Sequence, residues 1–134
     1  MKLVVNVDGG ARGNPGPAAV AAVARDAGGE ELTERAEVIG VATNNVAEYR
    51  ALLLGIQLAA ELEATELELV GDSELIVKQV KGEYKVKDPT LRELSEQVRA
   101  ALAGFDRWSI RHVRREQNAD ADALVNQALD GAAP

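Results

Sequence analysis

Residues 2–8 (KLVVNVD) are nearly all apolar and β-branched, the pattern of a strand buried on both faces. Residues 9–17 (GGARGNPGP) read as a turn with several special backbone positions. Residues 18–27 and 30–40 read as two strands joined at Gly28-Gly29. The first is alanine-rich and has helix propensity, but the Gly-Gly turn and the alternation after it favour a hairpin. Thr43 or Asn44 reads as the N-cap of a long helix reaching about Glu63. A strand follows at 66–71, then a short helix at 73–81 ended by Gly82. A further helix spans 89–103 with Pro89 in its first turn. The last strand covers 107–113 and the last helix 118–129. The order β-β-β-α-β-α-α-β-α predicts an α/β fold: a mixed sheet with helices on both faces. A right-handed crossover through the long helix puts the strand at 66–71 beside the first strand. Residues 1–130 read as one domain and 131–134 as a short flexible tail.

Composition narrows the chemistry. The chain of 134 residues has 46% hydrophobic and 28% charged residues, as globular domains do. It has no cysteine and one histidine, His112, which excludes disulfides, thiolate metal sites, cysteine nucleophiles and multi-histidine metal sites. No apolar run is long enough for a membrane span, and the first residues are too polar for a signal peptide. These features predict a soluble cytoplasmic protein. The net charge of −7 argues against nucleic-acid binding, since phosphate normally meets a basic face. Aromatic residues, at 3%, supply few platforms for base stacking.

Most of the 22 acidic residues fit solvated surfaces; four do not. Positions 48, 52, 55, 59 and 62 share one face of the long helix and read Glu, Leu, Gly, Ala, Leu. Glu48 thus heads an apolar face. Asp8 ends an apolar strand, where it could also start an Asp-Gly turn. Asp72 follows the strand at 66–71 at its carboxyl end, where ligands commonly meet an α/β sheet, though it could serve as a cap. Asp122 borders the apolar stripe of the last helix, one turn after Asn118. Asp120 points about 200° away from Asn118, toward water. Four clustered carboxylates repel one another and need a cation to stay ionised. An all-oxygen donor set suits Mg²⁺ or Mn²⁺. Two such ions support phosphodiester hydrolysis and bring positive charge to an acidic protein where the phosphate arrives.

The ordered motifs carry a resemblance. They are Val5-Asn6-Val7-Asp8-Gly9-Gly10, Gly13-Asn14-Pro15-Gly16-Pro17, Thr43-Asn44-Asn45-Val46-Ala47-Glu48, Gly71-Asp72-Ser73-Glu74-Leu75-Ile76 and, from Arg115 to Leu124, REQNADADAL. With them the chain resembles ribonuclease H type 1, in its small bacterial and archaeal form. The resemblance implies a ribonuclease H-like fold whose five-stranded mixed sheet has three antiparallel strands, then two parallel ones. It implies an endoribonuclease that hydrolyses the RNA strand of RNA–DNA hybrids with two metal ions, leaving 5′-phosphate and 3′-hydroxyl ends. By the same resemblance Asp8 bridges both ions, Glu48 and Asp72 bind the leaving-group-side ion, and Asp122 binds the ion that positions the attacking water. Substrate contacts fall on Gly9, Gly10, Asn14, Thr43, Asn44, Asn45 and Glu74. A hybrid is close to A-form and displays 2′-hydroxyls in a shallow groove, which such groups can read.

The chain also departs from the pattern. Glu83-Tyr84-Lys85-Val86-Lys87-Asp88 stands where many relatives carry a basic protrusion, so hybrid binding is expected to be weaker and more salt-sensitive. Lys81, Lys85 and Lys87 are the basic residues left nearby. The mobile histidine of many relatives is missing from the loop before the last helix; Glu116 or Arg115 are the candidates for its role in product release. His112 fits a structural side chain better. Glu74 stands where relatives often have Gln. The Gly-rich segment contains no lysine and is no P-loop. No obligatory protein partner is evident, and a monomer is expected. Two other readings remain: a non-catalytic hybrid- or RNA-binding module, and a different metal-dependent nuclease of the same superfold.

Overall fold

The computed structural model describes residues 1–132. In chain order the elements are β1 (Lys2–Ala11), β2 (Gly16–Asp26), β3 (Glu31–Ala42), α1 (Asn44–Glu61), β4 (Glu66–Gly71), α2 (Glu74–Val80), α3 (Pro89–Leu102), β5 (Arg107–His112), a 3₁₀ turn (Arg115–Asn118) and α4 (Ala119–Ala132). The five strands form one sheet in the order β3-β2-β1-β4-β5. The β1–β2 and β2–β3 pairs are antiparallel; β1–β4 and β4–β5 are parallel. This is the expected mixed sheet, with β4 beside β1 as the crossover requires.

Strand alternation divides the sheet's two faces. Leu3, Val5 and Val7 of β1, with Val20, Ala22 and Ala24 of β2, join the main core with α1, α2 and α3. The intervening Ala19 and Ala21 meet Val125 and Leu129 of α4 on the other face. Helix α1 is buried on most sides because it lies between the sheet and α3; its exposed positions include Arg50, Gln57 and Glu61, the expected solvent stripe. Its Gly55 faces β1 so closely that a Cβ there would lie 2.6 Å from a methyl of Val7.

Beyond shifts of one or two residues at several element ends, three differences from expectation stand out. Residues 9–11 do not turn but extend β1, pairing Gly9 with Val20, Gly10 with Ala19 and Ala11 with Ala18. Glycine at position 9 serves close packing rather than a turn, and the reversal contracts to residues 12–15. Residues 114–117, expected as a loop, largely form the 3₁₀ turn that leads into α4. The expected tail also needs correction: Gly131 and Ala132 continue α4 with no break after 130, while residues 133 and 134 lie outside the described residues. Among the described residues no helix is long and apolar enough to cross a membrane.

Candidate active site

The sheet opens where β1 and β4 part. Their ladder runs from Lys2 opposite Glu66 to Asn6 opposite Val70. Beyond it, Asp8 projects from β1 and Asp72 follows the last residue of β4. Ser73 then caps α2, its hydroxyl accepting from the Ile76 amide, so the chain turns away directly after Asp72. Thr43 caps α1 by accepting from the Val46 amide. Glu48 sits in the early part of that helix. A Cβ on Gly9 would lie 2.2 Å from the Ala47 carbonyl oxygen, so only glycine lets β1 and α1 meet there. The Gly9 amide also lies near the Glu48 carboxylate.

Asp8, Glu48 and Asp72 each offer an oxygen, and these three atoms lie within 4.8 Å of one another. Asp8 is 6% exposed; Glu48 and Asp72 are half-buried. Half-buried Asp122, in the first turn of α4, shares a hydrogen bond with Asp8. Burial first, then the charges of Asp72 and Asp122 and that hydrogen bond, raise the Asp8 pKa to about 8, with Arg115 acting in the opposite direction. Burial, Asp8 and Asp72 raise that of Glu48 to about 9, the Gly9 amide acting in the opposite direction. Crowded carboxylates that resist ionisation, with no sulfur or imidazole among them, fit a hard divalent cation.

The four acids line one open cavity of about 480 Å³, together with Gly9, Gly10, Asn44, Asn45 and Arg115. Arg115 stands 3.4 Å from Asp122 with its side chain 78% exposed. Asn44 accepts from the Ala11 amide, and its own amide donates to Asn14, tying α1 to the β1–β2 turn. Asn14, which is exposed, and Thr43, which is half-buried, are not among the residues that line the cavity. Glu74 is exposed and paired with Lys78 at 2.7 Å, one turn on. Glu116 lines a separate polar hollow near Asn6 and Arg25. Asp120 is exposed and pairs with Arg25, away from the cluster. His112 is exposed at the end of β5, opposite Gly71.

Sequence reasoning missed Arg12, Ser73 and Asn126, which also line the cavity. Arg12 pairs with Asp130 at 2.7 Å and reaches the Asn126 carbonyl, joining the β1–β2 turn to α4. Its signal was available: it is the one basic residue in the Gly-rich segment, passed over when that segment is searched for a lysine.

Sheet order and acid cluster together define the ribonuclease H-like fold class. A family model described as reverse transcriptase-like matches residues 6–128. Ribonuclease HI of Halobacterium salinarum is 49% identical over 125 residues, which are 93% of this chain and 63% of that protein. The crystal structure of RNase H1 from this halophilic archaeon superimposes with a TM-score of 0.97 at 46% identity, covering 98% of this chain and 100% of that one. LC11-RNase H1, solved in complex with an RNA/DNA hybrid, gives 0.93 at 42% identity, covering 97% and 98%. Bifunctional protein Rv2228c of Mycobacterium tuberculosis is 47% identical over 134 residues, but this chain spans only 37% of it. The chain belongs to the ribonuclease H type 1 family.

Proposed function

We propose that this chain is an endoribonuclease that hydrolyses the RNA strand of RNA–DNA hybrids, leaving 5′-phosphate and 3′-hydroxyl ends. The convergence of Asp8, Glu48 and Asp72 within 4.8 Å, with Asp122 beside Asp8, carries the reading. A module that only bound nucleic acid would gain nothing from crowding four acids where a phosphate must approach. The hybrid complex of LC11-RNase H1 supports the choice of substrate.

In this reading the four carboxylates hold two divalent ions, Mg²⁺ with Mn²⁺ as a substitute. Bound there, such ions supply an activated water and offset the charge that builds on the phosphate and leaving oxygens. The chain's own groups bind and orient. Gly9 and Gly10 present bare backbone to the cavity, which admits a sugar–phosphate chain to close range. Asn44 and Asn45 supply amide groups suited to 2′-hydroxyls and minor-groove edges. Arg115 offers an exposed positive charge beside Asp122 for a phosphate entering or leaving. Asn14, Thr43 and Glu74 are assigned to the outer contact surface. One chain supplies every group of the site, which fits a catalytic domain that acts as a monomer.

The test is cleavage of an end-labelled RNA–DNA hybrid, beside duplex DNA and duplex RNA, with Mg²⁺, Mn²⁺ or chelator. The expected result is internal cuts in the RNA of the hybrid alone, abolished by chelator, with the stated end groups. Correctly folded protein that leaves the hybrid intact with either metal would refute the proposal.

A further inference from the structure

Asn118 is 2% exposed and ends the 3₁₀ turn before α4. Its Nδ2 donates to the Val7 carbonyl at 2.8 Å, and its Oδ1 accepts from Asn6 Nδ2 at 3.0 Å. The Asn6 amide oxygen accepts in turn from Arg25 at 3.1 Å, and Arg25 pairs with Asp120. The location gives this chain of bonds its meaning. The β1–β4 ladder ends at Asn6 and Val70, so the Val7 carbonyl lies one residue past the point where β4 leaves β1. A buried peptide oxygen there needs a donor, and the Asn118 amide supplies it.

Asn118 thus touches β1 one residue before Asp8, and it lies one helical turn before Asp122. No strand pairing holds α4 to the sheet, and the apolar contacts of Val125 and Leu129 on Ala19 and Ala21 are non-directional and lie further along the helix. We infer that Asn118 is a positioning residue for the acid cluster: its amide pins the start of α4 to β1 where the strands part, and so fixes the distance of Asp122 from Asp8. The inference rests on reading the cluster as a divalent-ion site. Fully satisfied buried amides suit this task because their bonds specify one register, whereas apolar contacts tolerate sliding.

The experiment compares wild type, Asn118→Leu, Asp122→Asn and the double variant. Each is measured for hybrid cleavage and, without substrate, for the rise in Tm produced by Mn²⁺. Leucine keeps the volume and removes both hydrogen bonds. The expected loss for Asn118→Leu is about 10–100-fold in kcat with KM within about threefold, and a smaller Mn²⁺-linked rise in Tm. In the Asp122→Asn background the same substitution should leave the Mn²⁺-linked rise unchanged, since the group it positions is already gone. A merely structural Asn118 would lower Tm equally in both backgrounds and leave kcat and the Mn²⁺-linked rise at wild-type values, which overturns the inference. If Asn118→Leu does not fold, Asn6→Ala removes the bond to the Asn118 oxygen and the bond from Arg25 but keeps the Asn118–Val7 bond; a smaller effect of the same pattern is expected, and a full wild-type response overturns the inference. Wild type that gains Tm from Mn²⁺ yet cuts no hybrid defeats the proposed activity but still decides the role of Asn118. Wild type that gains no Tm from Mn²⁺ defeats both.

Discussion

Gly9 meets the Ala47 carbonyl so closely that a Cβ would stand 2.2 Å from its oxygen and 2.8 Å from the Glu48 amide. Both obstacles are backbone, so neither can swing aside. Gly9→Ala should therefore push α1 from β1 and carry Glu48 away from Asp8. A loss of about 1–3 kcal/mol in stability is expected from the overpacking, and about 100-fold in hybrid cleavage from a displacement near 1 Å. At Gly10 the nearest atom to an added Cβ is a Val125 methyl at 3.8 Å, so Gly10→Ala should leave the melting temperature nearly unchanged. Thermal melts and cleavage rates of the two variants check the contrast. Equal stability loss in both would disprove the close-packing role of Gly9.

Asp8→Asn should abolish cleavage and raise stability. In the fold Asp8 keeps its proton to about pH 8, whereas its ordinary pKa is 3.8. Folding takes up a proton between those values, so this group's contribution to stability falls as pH rises across the window. Asparagine removes that loss. In chelator, the variant should melt about 3–8 °C above wild type at pH 8, with the difference shrinking toward pH 4. A variant that melts lower than wild type at pH 8 would show that the Asp8 charge is not strained.

A divalent cation should reverse the same strain. Mg²⁺ or Mn²⁺ binds the ionised cluster and competes with protons, so its stabilising effect grows as pH rises toward 8–9. At about a hundredfold excess over Kd, wild type should gain about 3 kcal/mol, and Asp8→Asn or Asp72→Asn little of it. Calorimetric scans with metal or chelator at pH 6 and pH 8.5 test this. A metal effect independent of pH would separate cation binding from these carboxylates.

Much of the fold and site was legible because apolar periodicity reports burial directly. Asp8, Glu48, Asp72 and Asp122 stood out as acids on apolar faces or strand ends, and the chain brings them to one cavity. Gly9 to Ala11 misled because glycine marks both turns and close backbone approach; only the position of α1, set by contacts distant in sequence, distinguishes the two. Thr43 and Asn14 show the same limit. A cap or turn residue and a substrate contact use the same donors and acceptors; here the Thr43 hydroxyl and Asn14 Oδ1 accept from amides at the start of α1, a use that does not preclude a substrate contact. Arg12 went unnoticed because its partners, Asp130 and Asn126, lie more than a hundred residues away. The extension of α4 through Gly131 overrides that glycine's poor helix propensity, and Ala132 favours it.

Arg115 offers the last test. Its guanidinium stands 3.4 Å from Asp122 and pulls the Asp8 pKa down against burial and the neighbouring acids. Arg115→Ala removes that pull, so Asp8 should hold its proton to higher pH. The acid limb of the pH–rate profile should then move upward, by less than about one unit because an exposed arginine is screened by water and salt. Stability should change little, since the side chain is largely exposed and its pair is a surface one. The loss in rate should thus be larger at pH 6.5 than at pH 9, and should grow smaller in high salt. If Arg115 served only to release product, the loss would instead appear in steady-state turnover and vanish in a single-turnover measurement. If it served only the fold, the melting temperature would fall while the acid limb stayed in place. Rate profiles from pH 6 to 9.5, taken under single- and multiple-turnover conditions, distinguish the three outcomes. An unmoved acid limb would show that Arg115 does not act on the cluster through charge.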